Sequence, residues 1–321
     1  MRIGIVGAGM AGLACAEELT RHGHAVLLFD KGRGPGGRMS TRRIQTSAGE
    51  ACFDHGAQYF TVRDDAFQRQ VAAWASEGVA AAWPSAGSDA YVGFPAMNAP
   101  VRFISNGQSV QWTTLVTKLE QIGRCWRLVL DQGEAVDVDI VVVATPAEQA
   151  SDLLASVAPD FAVQARAAAS APCWTLMLAF FEAVAVSQNC WRGEDVIGWA
   201  ARNSSKPGRI GPESWVVQAS PSWSRLHVEA DPEWVTASLK EALSNMLDTP
   251  LPPIAGESCH RWRFARSGAD GSVALFDRVR RVGLCGDWLI GPRVEAAWLS
   301  GKALADQIRL AEVDAPTKHV P

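Results

Sequence analysis

Residues 7–12 read Gly-Ala-Gly-Met-Ala-Gly, and the setting of that hexapeptide constrains the fold more than any other feature of the chain. Before it, Arg2-Ile-Gly-Ile-Val6 is an apolar run of strand length. After it, Ala11, Ala14, Cys15, Ala16 and Leu19 mark a helix of small residues, and Ala25–Asp30 reads as a second strand. G-x-G-x-x-G between a strand and a helix suits a dinucleotide. Its glycines permit a tight turn, close approach of the backbone to a pyrophosphate and close packing of helix on strand, with the phosphates resting on the helix N-terminus. Asp30 ends the second strand 23 residues beyond Gly7, where a carboxylate accepts from ribose hydroxyls. The competing reading is a glycine turn without a ligand.

The 321 residues exceed the ~250–300 at which one hydrophobic core stops growing, so two domains are expected. With 48% apolar and 20% charged residues the chain has a globular composition. Thirty Lys and Arg against thirty-four Asp and Glu leave a net charge of −4, which gives no overall field for a polyanion and argues against nucleic acid as a partner. The seven cysteines include no C-x-x-C spacing, so neither a disulfide framework nor a cysteine metal site is expected, and no other metal-ligand spacing is visible. No signal-type apolar segment follows Met1, and no run of about 18 apolar residues occurs. A soluble, reduced, cytoplasmic protein without membrane attachment is the expectation.

Residues 31–43, KGRGPGGRMSTRR, begin as a Gly- and Arg-rich loop; 64–82 are helical in period, and 83–100 form a Pro- and Gly-punctuated loop. Cys125–Leu130 and Ile140–Ala144 read as strands, the second stopping at Thr145-Pro146 as a central parallel strand does when it ends at a ligand. Seven of the thirteen tryptophans fall in 161–266, where Trp174–Phe181 and Ser214–Gln218 suit an antiparallel sheet, interrupted by a helix at about 231–247. A buried strand, Val282–Cys285, leads through Gly286-Asp287 to a helix from about 294 to 310. Its Ala297, Gly301, Leu304 and Ile308 make a face for packing on a sheet, and a frayed tail follows Ala311.

The later motifs distinguish FAD from a nicotinamide cofactor. Gly36-Gly37-Arg38 would bring a second flexible backbone and a guanidinium to the dinucleotide. Cys285-Gly286-Asp287 closes a distant strand, and Val294-Glu295-Ala296-Ala297 begins a helix whose positive end would face an electron-rich ring. A nicotinamide domain needs no such C-terminal completion; FAD, held along its length, does.

With G-x-G-x-x-G, Asp30, GGR, Asp54-His-Gly-Ala57, Pro95-Ala-Met97 and GDW…RVEAAWLSG, the chain resembles the flavin amine oxidase superfamily. FDKGRGPGGRMSTRR, FDHGAQYFT, HRWRFA at 260–265 and the GDW segment are most similar to the bacterial renalases. The resemblance runs from residue 1 to about 310, with little recognisable between 150 and 258. It implies an α/β, two-domain FAD-binding flavoprotein fold: a Rossmann-like parallel-sheet domain from 1–58, 98–160 and 267–313, and a substrate domain from 59–97 and 161–266 with a largely antiparallel sheet and helices. Residues 314–321 would be a flexible tail.

The same resemblance implies noncovalent FAD. Gly7, Gly9, Met10, Ala11 and Gly12 would hold pyrophosphate, and Asp30, with Lys31 beside it, the adenosine ribose. Arg38, among Gly36, Gly37 and Met39, would meet the phosphates or flavin edge, and Gly56 and Ala57 the ring. Val116 would offer its backbone to adenine, and Ala144 would close the central strand at the cofactor. Gly286 and Asp287 would hold ribityl or pyrophosphate oxygens. Val294, Glu295 and Ala296 would present a helix N-terminus that stabilises anionic reduced flavin.

Amine oxidases line the flavin with tyrosines and keep a lysine near it. Here the tyrosines are Tyr59 and Tyr91, and the 161–266 segment has only Lys206, in a Ser/Gly/Pro loop, and Lys240, on an expected surface helix. Substrate-slot candidates are instead Gln58, Tyr59, Thr61, Trp199, His260, Trp262 and Trp288, against the alternative that tryptophans are core. Arg261 and Arg263 would share one face of a strand, beside a slot or at a solvated edge. His55 in its turn reads as packed or hydrogen-bonded.

The implied function is an FAD-dependent oxidase that takes nucleotide substrates, the 2- and 6-dihydro isomers of NAD(P)H, to NAD(P)⁺ by hydride transfer to flavin N5, with dioxygen reduced to hydrogen peroxide. The alternatives are oxidation of a small amine and, in another class, a non-catalytic flavin-binding redox sensor.

Overall fold

The structure of the protein, a computed structural model, describes residues 1–313; the expected tail at 314–321 lies outside the described residues. The chain divides into two compact units, one of residues 1–37, 101–169 and 267 onward, the other of 38–100 and 170–266.

The first unit is built on a six-stranded sheet in the order 275–277, 282–284, 140–143, 2–6, 25–30, 110–112. All neighbours are parallel except the edge strand Leu275–Asp277. Arg2–Val6 pairs along its length with Ile140–Val143 on one side and Ala25–Asp30 on the other. A central parallel strand is buried on both faces, which is why these runs are continuously apolar. The helix Met10–Arg21 packs against the helix Val294–Val313 at a contact only glycine allows, since a Cβ on Gly301 would overlap the Ala11 carbonyl. One turn on, Leu304 covers the sheet, lying where a Cβ on Gly283 would meet it at 2.8 Å. The expected small face therefore serves both a helix and the sheet, and the helix continues past 310 and Ala311 to Val313 because nothing in its sequence stops it. A three-stranded antiparallel sheet, Val116–Ile122, Cys125–Leu130 and Ala135–Val138, carries Trp126, Leu128 and Leu130 into the same core.

The second unit centres on a five-stranded antiparallel sheet in the order 190–192, 197–202, 213–219, 171–180, 254–266. The helix Pro232–Leu247 starts at Asp231, whose carboxylate accepts from the amides of Glu233 and Trp234, and lays Val235, Leu239, Leu243 and Leu247 on one face of that sheet. The hairpin Thr41–Thr46/Gly49–Asp54 covers part of the other face, with Ala51 and Phe53 packed among Met177, Ala179 and Val216. A short sheet of Phe60–Thr61, Ala90–Gly93 and Ala80–Ala82 completes the unit.

Two departures from the sequence reading have physical causes. The helix expected over 64–82 is Asp65–Ser76: Gly78, at φ 68°, turns the chain, and Ala80–Ala82 pairs as a strand with Ala90–Gly93, inside the expected loop. The chain from Arg38 to Gln58 belongs to the second unit, because the Ser47 amide donates to Ala255 and a Cβ on Gly256 would meet Thr46 at 2.7 Å. Among the described residues no helix is long and apolar enough to cross a membrane.

Candidate functional site: a dinucleotide turn and a buried cationic loop cluster

In the first unit, each glycine of the turn has a different reason to be there. Gly7 has φ 103°, its amide donates to Phe29 (2.8 Å), and a Cβ would stand 2.8 Å from the Ala144 carbonyl oxygen. A Cβ on Gly12 would overlap the Gly7 carbonyl and press the Ala144 methyl. Ala144, in turn, donates its amide to Val6 (2.8 Å), so its role in the fold is to close the turn. Gly9 is different. Its φ of −79° and ψ of −174° suit any residue, and a Cβ there would meet nothing within 4 Å. Nothing among the described residues requires glycine at 9. The open space lies at the N-terminus of a helix with no acidic residue in its first turn and no side-chain cap. A pyrophosphate fits there, with the amides at Met10 and Ala11 and the helix dipole toward it.

Asp30 braces this turn: Oδ2 accepts the Ala8 amide and Oδ1 the Gly32 amide, each at 2.7 Å. Each carboxylate oxygen retains a lone pair for a ribose hydroxyl. Lys31 is exposed and donates to Gln149 (3.2 Å). Gly36 (φ 152°) and Gly37 (φ 52°) take backbone conformations that side chains disfavour. Val116 is buried in the antiparallel sheet.

At the C-terminal motif, Gly286 donates to Ser300 Oγ (3.0 Å), and buried Asp287 accepts from Ser267 Oγ (2.9 Å). Val294 opens the last helix, with Glu295 2% exposed, paired to Arg293, and Ala296 enclosed. Trp288 is a correction to the slot expectation. Its side chain is 0% exposed among Leu284, Leu289 and Ala147, and its indole donates to the Thr145 carbonyl (3.3 Å). It is a core residue of the first unit and no wall of a slot.

In the second unit Arg38 and the 54–58 loop form one device. Ala57 donates to the Arg38 carbonyl (2.8 Å), and a Cβ on Gly56 would overlap that carbonyl, so Gly56 lets the 54–58 loop close on Arg38. Arg38 itself reaches Ala265 O, and Met39 is buried. Every carbonyl of the loop from 54 to 56 is held by a side chain: Asp54 and Gly56 by Gln58, His55 by Trp262 (2.8 Å), Gly56 also by Gln218 (2.7 Å). Gln58 is thus a buried brace. Thr61 pairs with Ala90 in the short sheet.

Beneath the loop lies a cluster the sequence concealed. Asp54 is fully buried, and Oδ1 accepts from Thr41 Oγ1 (2.9 Å) and the Met97 amide (3.2 Å). Oδ2 receives Lys206 Nζ (3.2 Å) and Arg209 Nη2 (2.6 Å). Lys206, expected as an ordinary loop lysine, is 2% exposed; its Nζ also donates to Gln58 Oε1 (3.2 Å) and lies 5.4 Å from the Trp83 ring. Burial pulls the Lys206 ammonium down to about 8 against the attraction of Asp54. Burial pushes the Asp54 carboxyl up, but the two cations prevail and hold it below its ordinary value. Lys240, by contrast, is a partly exposed partner of Glu257.

The slot candidates of this unit separate into two groups. Tyr59 packs on Trp199 (5.3 Å) and Trp83 (6.3 Å), and Arg192 donates to the Tyr59 hydroxyl (2.7 Å) while stacking over Trp199 (5.2 Å). Elsewhere Trp262 packs on His55 (5.0 Å) and His260 (4.6 Å), whose Nδ1 lies 3.4 Å from Arg42. Burial, then the neighbouring His260 and Arg42, lower His55 to about 4; burial, then Arg42, lower His260 to about 4. Arg261 and Arg263 converge on exposed Glu229 (2.6 and 2.7 Å), the solvated-edge reading. Sequence reasoning missed Arg192, Trp83, Lys206 and Arg209; the nearest signal was the basic content of the loop after Trp199. Among the described residues no group of His, Cys, Asp and Glu could hold a metal.

The NAD(P)-binding Rossmann-like domain family matches residues 5–74. Over 40 residues the chain is 58% identical to a protein of Mycobacterium tuberculosis (strain ATCC 25618 / H37Rv) named as a flavin-containing monoamine oxidase. The match covers 12% of this chain and 9% of that protein, so the chain spans under a tenth of the curated relatives it matches. Similar structures are a protein named as a protoporphyrinogen oxidase from Exiguobacterium sp. 255-15 (TM-score 0.76, 12% identity, 96% of this chain and 98% of that one) and cyclohexylamine oxidase from Brevibacterium oxydans IH-35A (0.71, 14%, 97% and 99%). A putrescine oxidase bound to putrescine follows (0.65, 12%, 97% and 99%). At these identities the likeness is one of fold: a Rossmann-like parallel sheet together with antiparallel sheets and helices, shared with known oxidases.

Proposed function

We propose that the protein is an FAD-dependent oxidoreductase of the oxidase type, acting on 2- and 6-dihydro isomers of NAD(P)H. FAD is the cofactor, held noncovalently: Gly7, Gly9 and Gly12 fit its pyrophosphate, Asp30 its ribose, and Gly286-Asp287 with the Val294 helix start its further oxygens. The bound flavin supplies a two-electron acceptor that dioxygen reoxidises. The balance is dihydronicotinamide plus O2 plus H⁺ to oxidised nicotinamide plus H2O2.

The observation that carries the substrate reading is the Tyr59–Trp199 pair bordered by Arg192. Flat aromatic faces suit a dihydropyridine ring, and a donor with no acidic proton to lose needs no general base. The chain's residues would orient that ring; Gln58, Gln218 and Trp262 keep the 54–58 loop fixed beside it. Oxidation of a small amine is the second reading, favoured by the fold shared with cyclohexylamine and putrescine oxidases. Against it, Asp54 is already neutralised by Lys206 and Arg209, and the Tyr59 cluster offers a cation where an ammonium substrate needs a carboxylate.

Anaerobic mixing tests the reading. Dihydronicotinamide isomers are expected to bleach the flavin absorbance, which oxygen then restores with peroxide release. Bleaching by amines alone would establish the second reading, and bleaching by neither would make the protein a flavin binder without turnover.

A further inference from the structure

Around Tyr59 the second unit gathers hydrogen-bond donors with no acceptor to match them. Arg192 donates one N–H to the Tyr59 hydroxyl (2.7 Å) and has no carboxylate partner among the described residues. Accepting that bond leaves the Tyr59 O–H free to donate. The indole nitrogens of Trp199 and Trp83 are buried without a hydrogen-bond partner among the described residues, in residues 5% and 2% exposed. Both indoles pack on the one Tyr59 ring, and Arg192 lies over Trp199. Trp N–H and Arg are donors only, so a ligand that satisfies this set must be an acceptor. A buried donor left unpaired carries a desolvation penalty, which an acceptor that pairs with it relieves.

The charge is one-sided as well. Cys190, which donates to the Ser85 carbonyl (3.0 Å), stands within electrostatic reach of both Arg192 and Lys206; burial raises its thiol and the two cations oppose the rise. Lys206 also lies 5.4 Å from the Trp83 ring. Its own carboxylate, Asp54, is taken up by Arg209 and Thr41 besides, so the neighbourhood of Trp83 and Trp199 remains positive.

We propose that Arg192, Tyr59, Trp199 and Trp83 form an oxyanion subsite that takes a phosphate of the substrate. This rests on the dihydronicotinamide reading and narrows it: the Tyr59 and Trp199 faces take the ring, and Arg192 with the hydroxyl and indole N–H edges takes a phosphate of the same nucleotide. A phosphate presents acceptors in several directions and pairs with a guanidinium through parallel N–H bonds, which suits one Arg beside three separate donors.

The test uses the FAD-loaded protein and inorganic pyrophosphate. The indole N–H resonances of Trp83 and Trp199, assigned by their loss in Trp83→Phe and Trp199→Phe, are expected to shift on titration, and the shifts to vanish in Arg192→Gln. Acetate in parallel separates a phosphate site from one for any carboxylate: equal shifts with acetate would overturn the phosphate assignment. No shift of either resonance with pyrophosphate would overturn the subsite. In kinetics, Arg192→Gln should raise KM for dihydronicotinamide dinucleotide isomers roughly tenfold to hundredfold more than it raises KM for the phosphate-free 1-methyl-dihydronicotinamide isomers. Equal increases for both would mean that Arg192 only positions Tyr59, and the proposal would fall. If no dihydronicotinamide reduces the flavin, the proposed function fails, while the pyrophosphate titration still decides whether the anion subsite exists.

Discussion

Lys206 and Asp54 form an ion pair with neither side chain exposed to solvent, Nζ standing 3.2 Å from Oδ2, across 152 residues of sequence. Arg209 shares the same oxygen, so one carboxylate serves two cations. Breaking such an arrangement from its centre differs from breaking it at an edge.

Asp54→Asn should therefore destabilise the protein by about 3–5 kcal/mol, because it leaves two buried cations without a counter-charge. Lys206→Met should cost less, since Arg209, Thr41 and Met97 still satisfy Asp54. Denaturant unfolding of both variants checks the order; equal losses would show that the two cations do not share the carboxylate.

The turn glycines should part company. Gly9→Ala is expected to keep the thermal stability of the protein without FAD and to lose flavin retention, as its Cβ enters only the open space at the helix N-terminus. Gly12→Ala should unfold more easily, by about 1–3 kcal/mol or more, because its Cβ overlaps the Gly7 carbonyl. Calorimetry of the FAD-free forms with flavin-occupancy measurements separates the two effects.

Trp288→Ala should lower stability by about 3–5 kcal/mol, the cost of emptying a core site, whereas Trp288→Phe should lose chiefly the bond to Thr145, about 1 kcal/mol. Urea denaturation of the pair checks this. A stable Trp288→Ala protein impaired only in reduction by substrate would return Trp288 to the slot.

Acid should weaken the second unit through its histidines. His55 and His260 are both lowered to about 4 from 6.5, so they fold neutral while the unfolded chain binds protons below pH 6.5. The unfolded state binds more protons between those values, so stability is complete above about 6.5 and falls as the pH drops toward 4. Melting temperatures measured from pH 7 to 4 should decline, and His260→Gln should flatten part of that slope.

Much of the first unit was legible because its signals are local. The turn at residues 7–12, the strand runs at 2–6, 25–30, 140–143 and 282–284, and the C-terminal helix each declare themselves within a few residues through periodicity and glycine placement. The helix expected over 64–82 failed at its end, where Gly78 ends it and the pairing of Ala80–Ala82 with a strand beyond the next loop decides the conformation. An alanine run carries no record of its partner.

What the sequence by itself determined was the kind of cofactor turn the chain builds and the layers that hold it, since backbone geometry at Gly7 and strand burial follow from residue type. Only the tertiary structure decided the fate of individual long side chains. Lys206 in its Ser-Ser-Lys-Pro-Gly loop has the composition of a surface lysine, and Trp288 beside Gly286-Asp287 that of a site residue; the first is enclosed against Asp54 and the second fills the core. Arg192 reaches Tyr59 from 133 residues away. Burial and pairing are sums over neighbours brought together by the whole fold, and no window of sequence contains those neighbours.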